Sequence, residues 1–319
     1  MRRNGLWLIV TLCLCLGIAW FPFDTQAQKK QLIAHEWGTF TTHVEPNGTV
    51  QVWNPLFERS DLPGFVRIYQ PKNGVSGTVR METPVIYFYT EKRMNVTVDV
   101  GFPQGKITEY YPDTSFPGQS ISWRNVIIDP ATEPAFPKES RDSHYYAARE
   151  TDAVPVRMKR KNTGEQLEKF LFYRGVGTFE LPLGVRLDGN QLVVKNNGTE
   201  PIPKVAVFEN REGKVGFSVH NLATEELRIE RPALEAQSLE AFKTEIEAIL
   251  VANGLYEKEA RAMVKTWNEV WTADGLRVFY IIPRQTTDKI LPLKIKPAPA
   301  ELVRVMVGRV EIQNGTKAE

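Results

Sequence analysis

Short runs of alternating or wholly apolar residues, broken by Gly, Pro and Asn, fill this chain from His35 to about Ile229. Val96, Val98 and Val100 alternate with polar residues, which predicts a half-buried strand because successive strand side chains point to opposite faces. The run at 85–89 has no polar face and predicts a strand covered on both sides. Many short strands at such spacing favour antiparallel sheets packed as a sandwich.

Two turns in the second half of this region indicate hairpins. An Asp-Gly turn at 188–189 and an Asn-to-Gly turn at 210–213 each separate two apolar runs. Asn, Asp and Gly adopt the turn conformations that most other residues resist. We therefore expect a β-hairpin at each position.

The periodicity becomes helical near residue 239. Apolar residues recur every three or four positions over 239–250 and again over 260–271, with Asn-Gly at 253–254 between them. This pattern predicts two amphipathic helices joined as a hairpin. Trp267 and Trp271 are four residues apart and share one helical face, which we expect to pack against the sheet.

The final part of the chain carries two more apolar segments. The run at 276–282 is short and rich in branched and aromatic residues, so we expect a buried strand. The stretch at 301–312 fits either a helix or a strand in which valines alternate with arginines, and Pro299 and Glu301 favour the helix. The predicted class is mainly β, with antiparallel sandwich-like sheets, a C-terminal helical hairpin and an α+β tail.

Residues 1–27 have the pattern of a secretory signal. Arg2 and Arg3 precede an apolar run at 6–20, and Ala27 ends a small-x-small cleavage site. The run has about fifteen residues, short of the roughly 20 that a membrane-spanning helix needs. We expect export, with the mature chain periplasmic or extracellular after cleavage near Ala27 and without a transmembrane segment.

The cysteines and the charge exclude several classes of function. Cys13 and Cys15 are the two cysteines of the chain, and both lie in the predicted signal, so disulfides, thiolate catalysis and cysteine metal sites are not expected in the mature protein. The leucine before each cysteine argues against a lipid anchor. The formal net charge is only +2, so we expect no nucleic-acid partner.

Three prolines at 129–137 suggest a long loop or linker. We therefore expect a β-rich unit at 28–130, a second at 131–232, and a third segment at 233–319 that holds the helical hairpin, the buried strand and the tail. One continuous sandwich over 28–130 and 131–232 is the alternative.

A histidine-containing segment opens the mature chain. On an extended strand His35 and His43 would lie about 26 Å apart, so one ion cannot bind both. A metal site would instead combine His35 and Glu36 with Asp142 and His144, and a divalent metal is the cofactor such ligands could hold. The alternative is that His35 is structural, bonded to backbone.

The segment at 141–150 is the best candidate for ligand binding, because loops held by a rigid sheet often carry binding groups. It offers His144, Tyr146 and Arg149 in a short span. A polar turn that closes the sandwich is the alternative.

Arg174 follows a buried apolar run and precedes Gly-Val-Gly, so it is a fourth candidate for binding an anionic group. The alternative is an ion pair with a carboxylate such as Glu82 or Glu168.

Two functions are compatible with these residues. The first is an exported soluble β-sandwich protein with a non-catalytic role, binding a small molecule, a glycan or an envelope protein. The second is a secreted hydrolase of glycan or peptide that uses a metal or a carboxylate pair. Such a pair would come from Glu36, Glu82, Glu109 and Asp142, and it needs a separation of about 5–10 Å that the sequence does not reveal.

Overall fold

The computed structural model describes residues 32–53, 61–69, 74–115, 118–222, 225–234 and 239–313. The predicted signal peptide and both cysteines lie outside these ranges. Strands predominate within them, which confirms the mainly β class. All of these described residues belong to one compact unit.

The strands, numbered along the chain, are β1 (Ile33–Val44), β2 (Arg67–Ile68), β3 (Val79–Tyr89), β4 (Met94–Gly101), β5 (Gly105–Tyr111), β6 (Ser120–Ile128), β7 (Val156–Arg160), β8 (Gly164–Glu168), β9 (Leu171–Gly177), β10 (Leu183–Asp188), β11 (Gln191–Asn196), β12 (Lys204–Arg211), β13 (Lys214–Asn221), β14 (Glu226–Glu230), β15 (Gly275–Ile282), β16 (Leu293–Lys296) and β17 (Glu301–Ile312). The helices are a 3-10 helix (His144–Arg149), α1 (Leu239–Ala252), α2 (Glu257–Trp271) and α3 (Arg284–Ile290).

Three sheets are built from these strands. The largest has nine strands in the order β13-β12-β15-β17-β1-β3-β9-β5-β2, and the others have the orders β10-β11-β14 and β16-β4-β6-β7-β8. The nine-stranded sheet takes strands from all three of the segments that the sequence suggested. The proline-rich stretch at 129–137 contains neither strand nor helix.

The two faces of the nine-stranded sheet bury different layers. One face, which we call the helix-covered face, packs Trp37 and Phe172 against the α1 and α2 side chains Phe242 and Trp267. The opposite face packs residues such as Phe40 into a core shared with the two smaller sheets. Trp271 is also buried on the helix-covered face, as its spacing from Trp267 predicts.

The hairpin turns form as predicted. β10 and β11 join through Gly189 with a φ of 61°, and β12 and β13 join through Glu212 and Gly213 with φ values of 51° and 82°. Gly suits both turns because it adopts positive φ without strain, and Asn210 contributes through its side chain, which accepts a hydrogen bond from the Gly213 amide at 3.1 Å. The run at 276–282 lies in β15 and is largely buried, as expected.

The prediction of a helix at 301–312 is wrong. This stretch is β17, which pairs in parallel with β1 and antiparallel with β15. Its valines at 303, 305 and 307 cover the helix side of the sheet, and a period of two with β-branched residues outweighs the first-turn signal of Pro299. The parallel β1–β17 ladder also corrects the wholly antiparallel expectation, although every other ladder among the described strands is antiparallel.

Candidate functional site

His35 is bonded to a glutamate rather than to backbone. Its Nδ1 lies 2.8 Å from Oε2 of Glu259, and both side chains are fully buried between β1 and α2. Glu259 also accepts hydrogen bonds from the Tyr89 hydroxyl at 2.8 Å and from the Tyr256 amide at 2.8 Å. This glutamate therefore fixes the start of α2 to the first strand.

Glu36 points to the opposite face, as the neighbour of His35 on a strand must. Arg304 of β17 donates to its Oε2 at 2.5 Å, and the Tyr173 hydroxyl donates to its Oε1 at 2.5 Å. Arg304 also reaches Asp288 at 2.6 Å. These contacts form a buried ion pair between the two parallel strands.

The four residues of the predicted metal site are not gathered. His35 and Glu36 are engaged on opposite faces of β1 as above, and Asp142 is exposed, accepting a bond from the Ser143 amide at 3.0 Å. Among the residues that the structure describes, no group of three or more His, Cys, Asp or Glu side chains could hold a metal ion.

Arg149 and Tyr146 have structural partners. Arg149 donates to both carboxylate oxygens of the fully buried Glu168, at 2.9 and 2.6 Å, and four aromatic rings surround its guanidinium group. The Tyr146 hydroxyl accepts a bond from the Glu139 amide at 3.1 Å. Burial raises the pKa of the Glu168 carboxyl, and the bonds and charge of Arg149 oppose that rise. These contacts anchor the 3-10 helix to β8.

His144 and Arg174 meet at Asp61, which sequence reasoning missed. Arg174 donates to the two oxygens of Asp61 at 2.8 and 3.3 Å, and Nε2 of His144 lies 3.4 Å from Oδ2 of Asp61. Arg174 is buried, whereas the side chains of Asp61 and His144 are 40% and 22% exposed. We call these three residues the seam site. The arginine thus pairs with neither Glu82 nor Glu168.

Burial and charge decide the ionisation of the seam site. Burial raises the pKa of the Asp61 carboxyl, but Arg174 and His144 outweigh burial and hold that pKa well below its usual range. Burial lowers the pKa of the His144 imidazole, more than the negative charge of Asp61 raises it. At neutral pH the site therefore holds a carboxylate, a guanidinium ion and a neutral imidazole.

Three neighbouring ladders of the sheet are interrupted next to this site. The register shifts between Trp37 and Thr39 where β1 pairs β3, between Met81 and Val85 where β3 pairs β9, and between Ile107 and Glu109 where β9 pairs β5. We call this line of irregularities the bulge seam. Bulges concentrate beside functional sites because they redirect side chains.

Thr83 and Gly38 show how tightly the bulge seam is built. Thr83 is fully buried with a φ of 47°, a conformation that a β-branched residue rarely adopts, and its hydroxyl accepts a bond from Arg174 at 3.4 Å. A Cβ on Gly38 would lie 2.9 Å from Cα of Pro84. Backbone strain of this kind persists where surrounding structure enforces it, often at functional sites.

A set of buried charges continues from the seam site across the helix-covered face. Burial raises the pKa of the Glu82 carboxyl, but Arg309 and Arg80 outweigh that effect and lower it overall. Glu82 also accepts a bond from the Thr41 hydroxyl at 2.7 Å. Four carboxylates were candidates for the acid–base pair of a hydrolase. The charges of Glu82 and Glu109 both stabilise the Arg174 guanidinium, whereas Glu36 is bonded to Arg304 and Asp142 to the Ser143 amide.

No helix within the described ranges combines the length and apolar character that crossing a bilayer requires.

Comparisons with known proteins give little further guidance. No protein-family model matches the chain, and no curated protein matches it. Among solved structures it is similar to the Mu homology domain of Fcho1 from Danio rerio with bound Eps15 peptide, at 6% identity and a TM-score of 0.33, covering 91% of this chain and all of that one. It is also similar to the yeast delta-COP-I mu-homology domain complexed with a Dsl1 WxWxV peptide, at 6% identity and a TM-score of 0.32, covering 89% of this chain and 98% of that one.

Proposed function

We propose that this chain is an exported protein of sandwich-like architecture that binds a ligand, without transforming it, at the seam site. The ligand is a small molecule, a glycan or a group presented by an envelope protein. The observation that carries the proposal is the meeting of partly exposed Asp61 and His144 over buried Arg174 at the bulge seam. Polar groups held rigidly at a sheet irregularity are suited to recognition.

Binding fits the chemistry of the seam site better than catalysis does. Arg174 occupies both oxygens of Asp61. With its pKa held low, Asp61 cannot act as a general acid near neutral pH, and an arginine-paired carboxylate is a poor nucleophile. What it retains is the capacity to accept hydrogen bonds from a ligand at its exposed edge.

Export rests on the N-terminal pattern of two arginines, an apolar run and a small-residue cleavage site. Fractionation of the producing cell followed by N-terminal sequencing tests it. We expect the protein outside the cytoplasm, starting at Gln28. Recovery of the chain from the cytoplasm with Met1 intact would contradict export while leaving the binding proposal open to its own test.

Binding is tested by screening the purified protein against glycan, peptide and metabolite libraries. We expect a hit whose affinity falls at least tenfold, about 1.4 kcal/mol, in Asp61→Asn and in His144→Gln. His220→Gln is the matched control, because His220 lies on the edge strand β13, where its Nε2 is 2.8 Å from the Ser218 hydroxyl. Equal affinity in all four proteins would contradict a ligand at the seam site.

A secreted hydrolase is the second candidate, favoured by one feature of the same residues. A neutral imidazole beside a fixed carboxylate is the arrangement of a general base with an orienting partner. Turnover of a glycan or peptide that is lost in His144→Gln and kept in His220→Gln would replace the binding proposal with this one.

A further inference from the structure

Buried polar atoms without a hydrogen-bond partner are concentrated on the helix-covered face near the bulge seam. They include Nε of Arg174, Nη1 of Arg309, and the indole nitrogens of Trp267 and Trp271. Each of these side chains is at least nine-tenths buried. Buried polar groups in proteins are nearly always paired, so such a group of atoms calls for a partner.

Their positions relative to the seam site follow from the contacts of α2. The Trp267 ring lies 5.5 Å from the His144 ring, and the His144 imidazole lies beside Asp61, which Arg174 holds. One helical turn further, the Trp271 ring lies 5.3 Å from that of Phe279, whose register partner on β17 is Arg309. Trp267 therefore lies on the His144 side of the seam site, and Trp271 lies over the strand pair that carries Arg309.

The four atoms named above share one kind of hydrogen-bonding chemistry. Guanidinium and indole N–H groups donate hydrogen bonds and cannot accept them. Arg174 already directs its Nη1 and Nη2 atoms at Asp61, so the Nε edge is the part that remains. A ligand group that brings acceptors, such as a carboxylate or another small oxyanion, can receive hydrogen bonds from each of these donors.

We propose that the seam site takes a small oxyanion, a carboxylate or phosphate group, between Arg174, Trp267 and His144, and that His144 gains a proton when it binds. This inference rests on the proposed binding function and names the chemistry of the ligand. The Asp61 side chain, which is 40% exposed, marks the route from solvent.

The balance of charges around the site is the reason that we expect His144 to gain a proton when an anion binds. Around Arg174 and Arg309, the guanidinium groups of Arg80, Arg174, Arg277 and Arg309 are matched by four carboxylates, those of Asp61, Glu82, Glu109 and Glu311. A bound anion adds one negative charge to a buried and already neutral set. The groups facing His144 are Asp61, Arg174 and Glu82 from the sheet side and Glu269 from α2, and the neutral His144 imidazole is the group among them that can take up a proton near neutral pH.

The experiment titrates the full mature protein with sodium acetate and with inorganic phosphate by calorimetry at pH 5.5 and 8.0, using acetamide as the neutral isostere of acetate. We expect saturable binding of at least one anion and none of acetamide. Affinity should be at least tenfold higher at pH 5.5, and buffers of different ionisation enthalpy should report the uptake of about one proton.

Two variants make the assignment specific. His144→Gln should still fold, should abolish proton uptake and should flatten the pH dependence, whereas His220→Gln should leave both unchanged. Trp267→Phe keeps an aromatic ring but removes the N–H, and anion affinity should fall several-fold. If either variant unfolds, quenching of tryptophan fluorescence by the bound anion in the unaltered protein provides the second measurement.

The outcomes separate this inference from the function on which it rests. Suppose that a neutral sugar or peptide binds in a way that depends on His144, and that acetate and phosphate do not bind. This result would overturn the inference that the ligand is an oxyanion, and it would keep the seam site as a binding site. Anion binding that is equal at both pH values and unchanged in His144→Gln would also overturn the inference. Absence of any ligand whose affinity responds to Asp61 or His144 would overturn both proposals.

Discussion

Arg174 on β9 directs two guanidinium nitrogens at the carboxylate of Asp61, 113 positions earlier in the chain, at 2.8 and 3.3 Å. The arginine is buried, while the aspartate keeps 40% of its side chain exposed. The pair therefore links the sheet interior to solvent at the point where the ladders of β3 and β9 are interrupted.

The unequal burial of this pair predicts unequal mutational effects. Asp61→Asn removes the carboxylate that is hydrogen-bonded to a buried cation and leaves only the more distant charges of Glu82 and Glu109, whereas Arg174→Met leaves a carboxylate that water can still reach. We expect Asp61→Asn to lower the free energy of unfolding by about 2–3 kcal/mol and Arg174→Met by about 1–2 kcal/mol. Urea unfolding of both single variants and the double variant measures this, and the double variant should lose less than the sum. Strict additivity would show that the two side chains do not interact.

The stability of the protein should depend on pH through His144. The pKa of its imidazole is lower in the folded chain than in the unfolded chain, so the unfolded state binds more protons below about pH 6.5. The contribution is fully present above that pH and is lost as the pH falls towards the folded pKa. We expect the free energy of unfolding to fall between pH 7.5 and 5.5 in the absence of ligand.

The variant His144→Gln should reduce that fall, because glutamine does not titrate. Chemical denaturation at several pH values checks it. Burial also lowers the pKa of His220 on β13. His220→Gln therefore measures how much of the pH dependence of stability comes from His220. A pH dependence that is unchanged in His144→Gln would contradict the prediction.

The close approach of Gly38 to Pro84 predicts that even one methyl group is not tolerated there. In Gly38→Ala the new Cβ would lie 2.9 Å from Cα of Pro84. This Cα is a backbone atom of a buried strand and cannot move aside easily. We expect a loss of about 1–3 kcal/mol. The matched control is Gly118→Ala, where a Cβ has no neighbour within 4 Å. Thermal unfolding of both variants decides, and equal midpoints would contradict the tight packing of the bulge seam.

The buried pair of Glu36 and Arg304 should contribute far more than an exposed one. Glu36→Gln removes the buried counter-charge of Arg304 and leaves only the partly exposed Asp288 as its carboxylate partner, so we expect a loss of about 3 kcal/mol. Glu240→Gln removes the exposed partner of Lys243 on α1 and should change stability by less than about 0.5 kcal/mol. Guanidinium chloride unfolding compares the two, and similar values would show that Glu36 is not effectively buried.

The local sequence pattern was sufficient to predict a strand or a turn wherever the residues of that segment themselves favour its conformation. The valines of β4, the apolar run of β3 and the turns at 188–189 and 210–213 each identified an element because period and turn chemistry are short-range properties. The same reasoning failed at 301–312, where pairing with β1 and β15 decides for a strand. Sheet pairing is non-local, so a first-turn signal such as Pro299 cannot exclude it.

The candidate site likewise combines residues that the sequence identified with residues that only the fold brings together. Sequence reasoning selected His144 and Arg174 as residue types that bind, and both belong to the seam site. It could not select Asp61, which lies 83 positions before His144 and has no local feature that marks it. It also grouped His35 with Glu36, which strand geometry sends to opposite faces, and it offered Arg149 as a binding group although Glu168 and four aromatic rings enclose it.

By itself the sequence determined the mainly β character and the pattern that predicts export, because both follow from the order of apolar, polar and turn-forming residues over short spans. Only the tertiary structure decided which charges meet: His35 with Glu259, Glu36 with Arg304, and Asp61 with Arg174 and His144. Electrostatic interactions depend on distance in space and on burial, and the folded sheet sets both for residues that are more than 80 positions apart in the chain.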